Sequence, residues 1–212
     1  MRCLACPALT RGSVLSPFLC VPCARELHAL RGRDWEIDGL RVVAAFRYAG
    51  VARTLLRALK FHGASGVAAP LGAALGLSLS ELPAGPVGIV PLPLHWRRRW
   101  RRGHNQSAAL ARAVAASRPG FRVLPVLHKP RATPPQVGLD GGQRRRNVRH
   151  AFAVHRRHRG LLCDARLVLV DDVATTGATL RSARDCLIAS GAAEVTLAAA
   201  AVAAEARDLG GP

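Results

Sequence analysis

An α/β domain built on a central parallel sheet is the fold this sequence predicts, and three observations predict it. The run Arg166 to Val173 is apolar and β-branched, a Thr/Gly loop and a helical segment from about Thr179 to Ser190 follow, and Glu194 to about Ala201 is apolar again. That succession is a βαβ unit, so its strands are parallel and joined by a right-handed crossover. Half of the 212 positions are apolar, enough to bury one core, and the length fits one domain with an appendage. The composition changes near residue 38, which divides the chain into a segment 1–38 and a domain 39–212.

Residues 1–38 open with two tight cysteine pairs and continue as a polar, Arg-rich spacer to Trp35. Leu40 to Tyr48 alternates, carries valines and reads as a strand. Ala52 to Phe61 and Val67 to Leu79 place apolar residues at helical spacing, and Glu81 to Gly88, with two prolines and two glycines, is a loop. Val87 to Val90 is a short buried strand, Ser107 to Ala116 an alanine-rich helix closed by the Pro119-Gly120 turn, and Phe121 to Leu127 a further strand. Lys129 to His150 is polar and dense in arginine. A connection of that length inside a compact domain points to function, which makes it a candidate active-site lid.

Lys60 and Lys129 are the only lysines, so nearly all the positive charge is arginine, and alanine is abundant. That compositional bias does not explain a net charge of +18, because exchanging Lys for Arg leaves charge unchanged. An excess this large favours polyanionic partners, phosphates or nucleic acid; an evenly solvated basic surface is the plainer alternative. Cysteines and prolines interrupt the first twenty residues, which do not read as a secretory leader. The longest apolar run, near Leu197 to Ala204, is far shorter than the ~20 residues of a membrane helix. The expectation is a cytoplasmic protein without membrane insertion, whose six cysteines are thiols or thiolate ligands.

The most informative segment is Val168-Leu-Val-Asp171-Asp172-Val-Ala-Thr175-Thr176-Gly177-Ala178-Thr179. A buried strand ends in two adjacent carboxylates, a loop of hydroxyls and a glycine follows, and a helix starts at once. In open α/β sheets ligands sit at the carboxyl ends of strands, and a helix N-terminus offers free N–H groups and a favourable dipole to a phosphate. Thr175 to Thr179 would cradle that phosphate, with Gly177 allowing close backbone approach. Asp171 and Asp172 stand where they can accept hydrogen bonds from vicinal ribose hydroxyls or reach a hydrated Mg²⁺. The plainer alternative is that the carboxylates end a strand and Thr179 caps a helix.

This pattern resembles the phosphoribosyl-pyrophosphate signature of type I phosphoribosyltransferases, and more closely the ComF family, in which a small zinc-binding segment precedes such a domain. Two further segments carry the resemblance. Pro91-Leu-Pro93-Leu-His95, then Arg102-Gly103-His104-Asn105-Gln106, is similar to the family's strand-loop-helix that contacts pyrophosphate. Arg131, Thr133, Gln136 and Leu139, then Arg144 and Asn147, fall at the spacing of its mobile loop. Lys60-Phe61-x-Gly63 at a helix end also matches. His104 departs from the family, which more often has Phe there. Among Arg97, Arg98, Arg99, Arg101 and Arg102, guanidiniums suited to phosphate oxygens, only Arg102 lies in the match; the run itself reads equally as a solvated face.

Cys3-x-x-Cys6 and Cys20-x-x-Cys23 are two knuckles thirteen residues apart, near the spacing of a four-thiolate zinc site. Such a site is closed and structural, and without metal so short a segment cannot bury enough to fold. Redox cysteines or two disulfides are the alternatives. Cys163 and Cys186 lack paired spacing and read as small buried residues. The histidines at 28, 62, 128, 150, 155 and 158 show no metal-ligand spacing. Trp35, Trp96 and Trp100 suit either stacking or packing, with packing the expectation for at least one.

The resemblance implies a type I phosphoribosyltransferase fold behind an N-terminal zinc ribbon, and a glycosyltransferase reaction with phosphoribosyl pyrophosphate and Mg²⁺. Asp171 and Asp172 would hold the ribose diol, and Thr175, Thr176, Gly177, Ala178 and Thr179 the 5′-phosphate. Lys60, Pro93, Arg102, Gly103, Asn105 and Gln106 would face the pyrophosphate and its Mg²⁺, and the loop of Arg131, Thr133, Gln136, Arg144 and Asn147 would close and exclude water. A nitrogen acceptor, a homodimer, and a role in natural competence and DNA uptake beside a helicase-like partner are likewise implications of the resemblance. The competing expectation is a non-catalytic adaptor that grips single-stranded DNA.

Overall fold

The computed structural model describes residues 2–12, 18–62, 65–83, 85–94, 103–130, 151–203 and 206–209. Helix α1 (Val21–Ala29) starts within the second cysteine knuckle, with Cys20 at its N-cap, Cys23 inside it and a proline in its first turn. Strands β1 (Asp34–Ile37) and β2 (Leu40–Arg47) form a hairpin. Its turn residues Asp38 and Gly39 both have positive φ, 51° and 68°. An Asp-Gly pair between alternating strands is the signal for that turn, because its backbone twist matches that of the strands. Residue 38 therefore lies at a hairpin tip whose two strands share one sheet, and β1 arises from part of the spacer that periodicity left unassigned.

Helices α2 (Gly50–His62) and α3 (Ser65–Ser78) come next. α3 is apolar all round and packs on α4 (Gln106–Ala116). A Cβ at Gly72 or Gly76 would collide with Ala113 or Ser117, so these glycines set the close approach of the two helices. Strands β3 (Val87–Pro91), β4 (Phe121–Val123), β7 (Arg166–Ala174) and β8 (Glu194–Val202) complete the parallel sheet. The expected strand from Phe121 to Leu127 stops at Val123, and Leu127–His128 (β5) instead pairs with Ala153–Val154 (β6) in a separate ladder. A 3₁₀ turn, Arg156–Leu162, leads into β7; α5 (Ala178–Ile188) links β7 to β8, and β9 (Arg207–Asp208) adds to β1.

The sheet order is β4-β3-β7-β8-β2-β1-β9. The five strands from β4 to β2 are parallel, and β1 and β9 join antiparallel to their neighbours. Two cores flank it. On one face Val168 and Val170 pack with α4 (Leu110, Val114), α3 and α2. On the other, Leu167 and Leu169 pack with α5 (Leu180, Ala183, Leu187) and with Trp35, Ile37 and Leu40 of the hairpin. Trp35 is buried, its Nε1 donating to Ala44 O at 3.0 Å, so packing is its role. Trp96 and Trp100 lie outside the described residues. Among the described residues no helix is long and apolar enough to cross a membrane.

Candidate functional site

From β3 the chain moves outward through α4 to β4, while from β7 it moves the other way through α5 to β8. Right-handed connections running in opposite directions place their helices on opposite faces, as the two cores record. The carboxyl ends of β3 and β7 thus flank a crevice where the strand order reverses, the position at which open α/β sheets take ligands.

Asp171 and Asp172 sit near the end of β7 at this crevice. Asp171 Oδ1 accepts from the Asp172 amide at 2.8 Å and from Ser107 Oγ at 3.0 Å. Burial, and next the charge of Asp172, push the Asp171 carboxyl up to about 8, against these donors, which favour its ionised form. Asp172 is buried, and among the described residues its Oδ2 has no hydrogen-bond partner. Lys60 Nζ, at the far end of α2, stands 4.0 Å from that oxygen. Two adjacent carboxylates, one with an orphaned oxygen, form a donor set that fits a hydrated divalent cation.

The helix across the crevice is tied down at its first turn. Asn105 caps α4, accepting from Ser107 N at 3.0 Å and Ala108 N at 3.4 Å, while its Nδ2 donates to Leu92 O just after β3. That cap is worth about 1 kcal/mol and fixes Ser107 against Asp171. Gln106 is buried with Oε1 lacking a hydrogen-bond partner among the described residues, Gly103 has φ 72°, and Pro93 follows β3. His104, the departure from the family pattern, lies 2.8 Å through Nε2 from Leu59 O. Ser107 was not among the residues singled out in the sequence; its place two positions after the capping Asn105 is the only local signal for it.

Thr175 and Thr176 are exposed in the loop after β7, and Gly177 caps α5 with φ 68°. A Cβ at Gly177 would approach Leu40 Cδ2 to 2.8 Å, so the hairpin tip demands glycine there for space as well as for conformation. Ala178 and Thr179 open α5 with backbone N–H groups free of intrahelical partners. Arg181 donates to Asp38 O at 2.9 Å, holding the hairpin tip beside the loop. A cavity of about 340 Å³ lies between Glu36, Asp38, Thr175 and Thr176. The remaining sequence-derived candidates, Arg102, Arg131, Thr133, Gln136, Arg144 and Asn147, lie outside the described residues, as do His95 and Gly63.

At the other end of the chain, the sulfurs of Cys3, Cys6, Cys20 and Cys23 all lie within 4.8 Å of one another. Cys6 Sγ and Cys20 Sγ are 3.7 Å apart, close to the ~3.8 Å edge of a tetrahedron with 2.3 Å zinc–sulfur bonds. Burial disfavours the Cys3 thiolate, but N–H donors from Cys20 at 3.4 Å and Ala5 at 3.5 Å overcome it and bring the thiol down to about 6. Cys23 is pushed the other way, by burial and then by the neighbouring sulfurs. Four sulfurs this close cannot all ionise without a cation among them, so the cluster can hold a metal such as zinc. Cys163, expected to be buried, is exposed in the turn before β7, and Cys186 is half-buried with Sγ 3.5 Å from Phe152 O.

No family model matches this chain. It is 34% identical over 181 residues to the DNA utilization protein YhgH of Salmonella typhi, covering 82% of this chain and 75% of that protein. Competence protein F of Haemophilus influenzae is 33% identical over 110 residues, 52% of this chain and 48% of its own. Among solved structures, the glutamine phosphoribosylpyrophosphate amidotransferase of B. subtilis, complexed with ADP and GMP, overlays 63% of this chain at 25% identity and a TM-score of 0.43. This chain spans 26% of the length of that enzyme.

Proposed function

The chain belongs to the ComF family, and from that premise we propose that it binds phosphoribosyl pyrophosphate with Mg²⁺ between β3 and β7 and transfers the phosphoribosyl group to a nitrogen acceptor, in the service of DNA uptake. Its mixed α/β architecture, a mostly parallel sheet behind a four-cysteine segment, agrees with the arrangement the family resemblance implies, a zinc ribbon before a type I phosphoribosyltransferase fold. One observation carries the reading: the Asp171–Asp172 pair, with a buried carboxylate oxygen that has no hydrogen-bond partner among the described residues, stands one short loop before a glycine-capped helix start.

In this mechanism Asp171 and Asp172 accept from the ribose hydroxyls and place negative charge beside the cation that develops at C1. The N–H groups and hydroxyls from Thr175 to Thr179 hold the 5′-phosphate. Pro93, Gly103, Asn105 and Gln106 face the pyrophosphate, and Lys60 supplies a cation from the end of α2. Arg102, Arg131, Thr133, Gln136, Arg144 and Asn147 join that role on the family resemblance alone. Mg²⁺, when bound, would neutralise the leaving pyrophosphate. The C1–O bond breaks as a bond to the acceptor nitrogen forms, so the residues act by position and charge. We further assign a structural Zn²⁺ to Cys3, Cys6, Cys20 and Cys23, and a cytoplasmic location.

Calorimetric titration of phosphoribosyl pyrophosphate with Mg²⁺ into the wild type and an Asp171→Asn, Asp172→Asn double variant tests the proposal. Binding by the wild type, lost in the variant, supports it; a folded, zinc-loaded wild type that does not bind overturns it. The net charge of +18 favours a second reading, a single-stranded DNA adaptor. Such an adaptor would bind DNA with a steep salt dependence and be indifferent to Asp171→Asn.

A further inference from the structure

A cavity of about 670 Å³ opens beside the end of β3, between α4 and the β5–β6 ladder. Prolines and leucines make its floor, and His104, Arg112, His128, Lys129 and His155 stand on its walls. None of its described lining residues is acidic. A wall of cations and imidazoles without a carboxylate is a place for an anion.

Two of the histidines are held in an unusual relation. The His128 and His155 rings stack with centroids 4.2 Å apart and planes inclined by 22°, and His158 meets His155 edge-on at 5.8 Å. Backbone pairing clamps the stack: His128 pairs with Ala153, and His155 N donates to Val126 O at 3.0 Å. Among the described residues His128 Nδ1 is buried without a hydrogen-bond partner. The groups facing the pair are Lys129 after β5, His104 and Arg112 at α4, and Arg157 and His158 on the 3₁₀ turn. Lys129 also lies 5.1 Å over the Phe152 ring. Among the described residues every charge these neighbours carry is positive, so protonating the His155 ring is costly until an anion arrives.

We propose that the basic end of this cavity is a subsite for a phosphate-bearing anion, and that filling it draws a proton onto His155 of the stacked pair. Burial, then His128, Arg157 and His158, hold the His155 imidazolium below its ordinary value in the free protein. An anion on the same wall favours the charged ring and moves its titration upward. Because the bound form then carries more protons than the free form, affinity rises as pH falls, by up to about tenfold per pH unit between the two titrations. Pro93 and Asn105 line the near end of the cavity. The subsite therefore extends the proposed pyrophosphate contact and rests on that reading for the identity of its ligand, though not for the proton.

The probe is inorganic pyrophosphate, titrated calorimetrically near pH 7 in buffers of different ionisation enthalpy into the wild type, His155→Gln and the Asp171→Asn, Asp172→Asn variant. Proton uptake by the wild type and the aspartate variant, lost in His155→Gln, is expected; the probe's own protonation is common to all three. Imidazole resonances of the wild type give a check that needs no substitution: His155 should titrate at least about one pH unit higher with pyrophosphate than without. Absent binding, or binding with no difference in uptake and no shift of the His155 imidazole, overturns the inference. Phosphoribosyl pyrophosphate binding without uptake would sink this inference and leave the proposed function standing. Pyrophosphate uptake of a proton with no phosphoribosyl pyrophosphate binding would do the reverse.

Discussion

Ser107 Oγ donates to Asp171 Oδ1 at 3.0 Å, joining the second residue of α4 to a strand 64 positions later. The bond bridges the two walls of the crevice and is made by a side chain that is itself buried. Asp171 is ionised once a cation binds, and hydrogen bonds to charged groups are worth about 1.5–3 kcal/mol, so Ser107→Ala should weaken Mg²⁺-dependent phosphoribosyl pyrophosphate binding roughly tenfold or more. The Asn105 cap survives the change, so α4 should keep its helicity by circular dichroism while calorimetry reads the loss. Unchanged affinity would show that this bond does not position Asp171.

The Asp171 carboxyl titrates near 8 in the folded protein, above its ordinary value of 3.8. The native state therefore holds a proton that the unfolded state has released across that interval, and this contribution to stability is lost as pH rises toward 8. Cation binding at the pair requires the proton to leave, so Mg²⁺-dependent affinity should climb with pH and level above about 8. Asp171→Asn should flatten the stability profile over this interval. Chemical denaturation at several pH values measures the first effect, and Mg²⁺ titration of the wild type measures the second.

Gly177→Ala combines a left-handed backbone with a Cβ facing Leu40. Strain of this kind costs roughly 1–3 kcal/mol. The melting temperature should fall, and donor binding should weaken with it, because relief requires the loop to move off the hairpin tip. Leu40→Ala in the same background removes the facing methyl and should restore part of the binding.

Glu26 of α1 accepts from Val51 N at 2.9 Å and so caps the first turn of α2. Cys3 and Cys23 share a core with Leu55 and Leu56 of that helix. Stripping metal with a chelator should therefore speed amide exchange at the start of α2, roughly fivefold for a lost cap of about 1 kcal/mol. The β7–β8 ladder should be unaffected. Exchange measured before and after chelation, with released zinc quantified, decides it.

Periodicity and motif spacing alone located β2, β3, β7, β8 and the four longer helices after the N-terminal segment, because each buries a stripe or a run that a one-dimensional pattern must record. The same is true of the Asp171 to Thr179 segment and the cysteine knuckles, whose chemistry lies between near neighbours in the chain. Short elements were not read: β1 and β9 are strands only because β2 and each other give their backbones partners, and β5–β6 exists only as a pair. The Asp38-Gly39 turn was the one local sign of β1. Nor could spacing reveal that Ser107 and Lys60 meet the acidic pair, or that His128 and His155 stack. Those contacts are made by the crossing of separate helices and strands, and only the packed sheet, which fixes where each element ends in space, decides them.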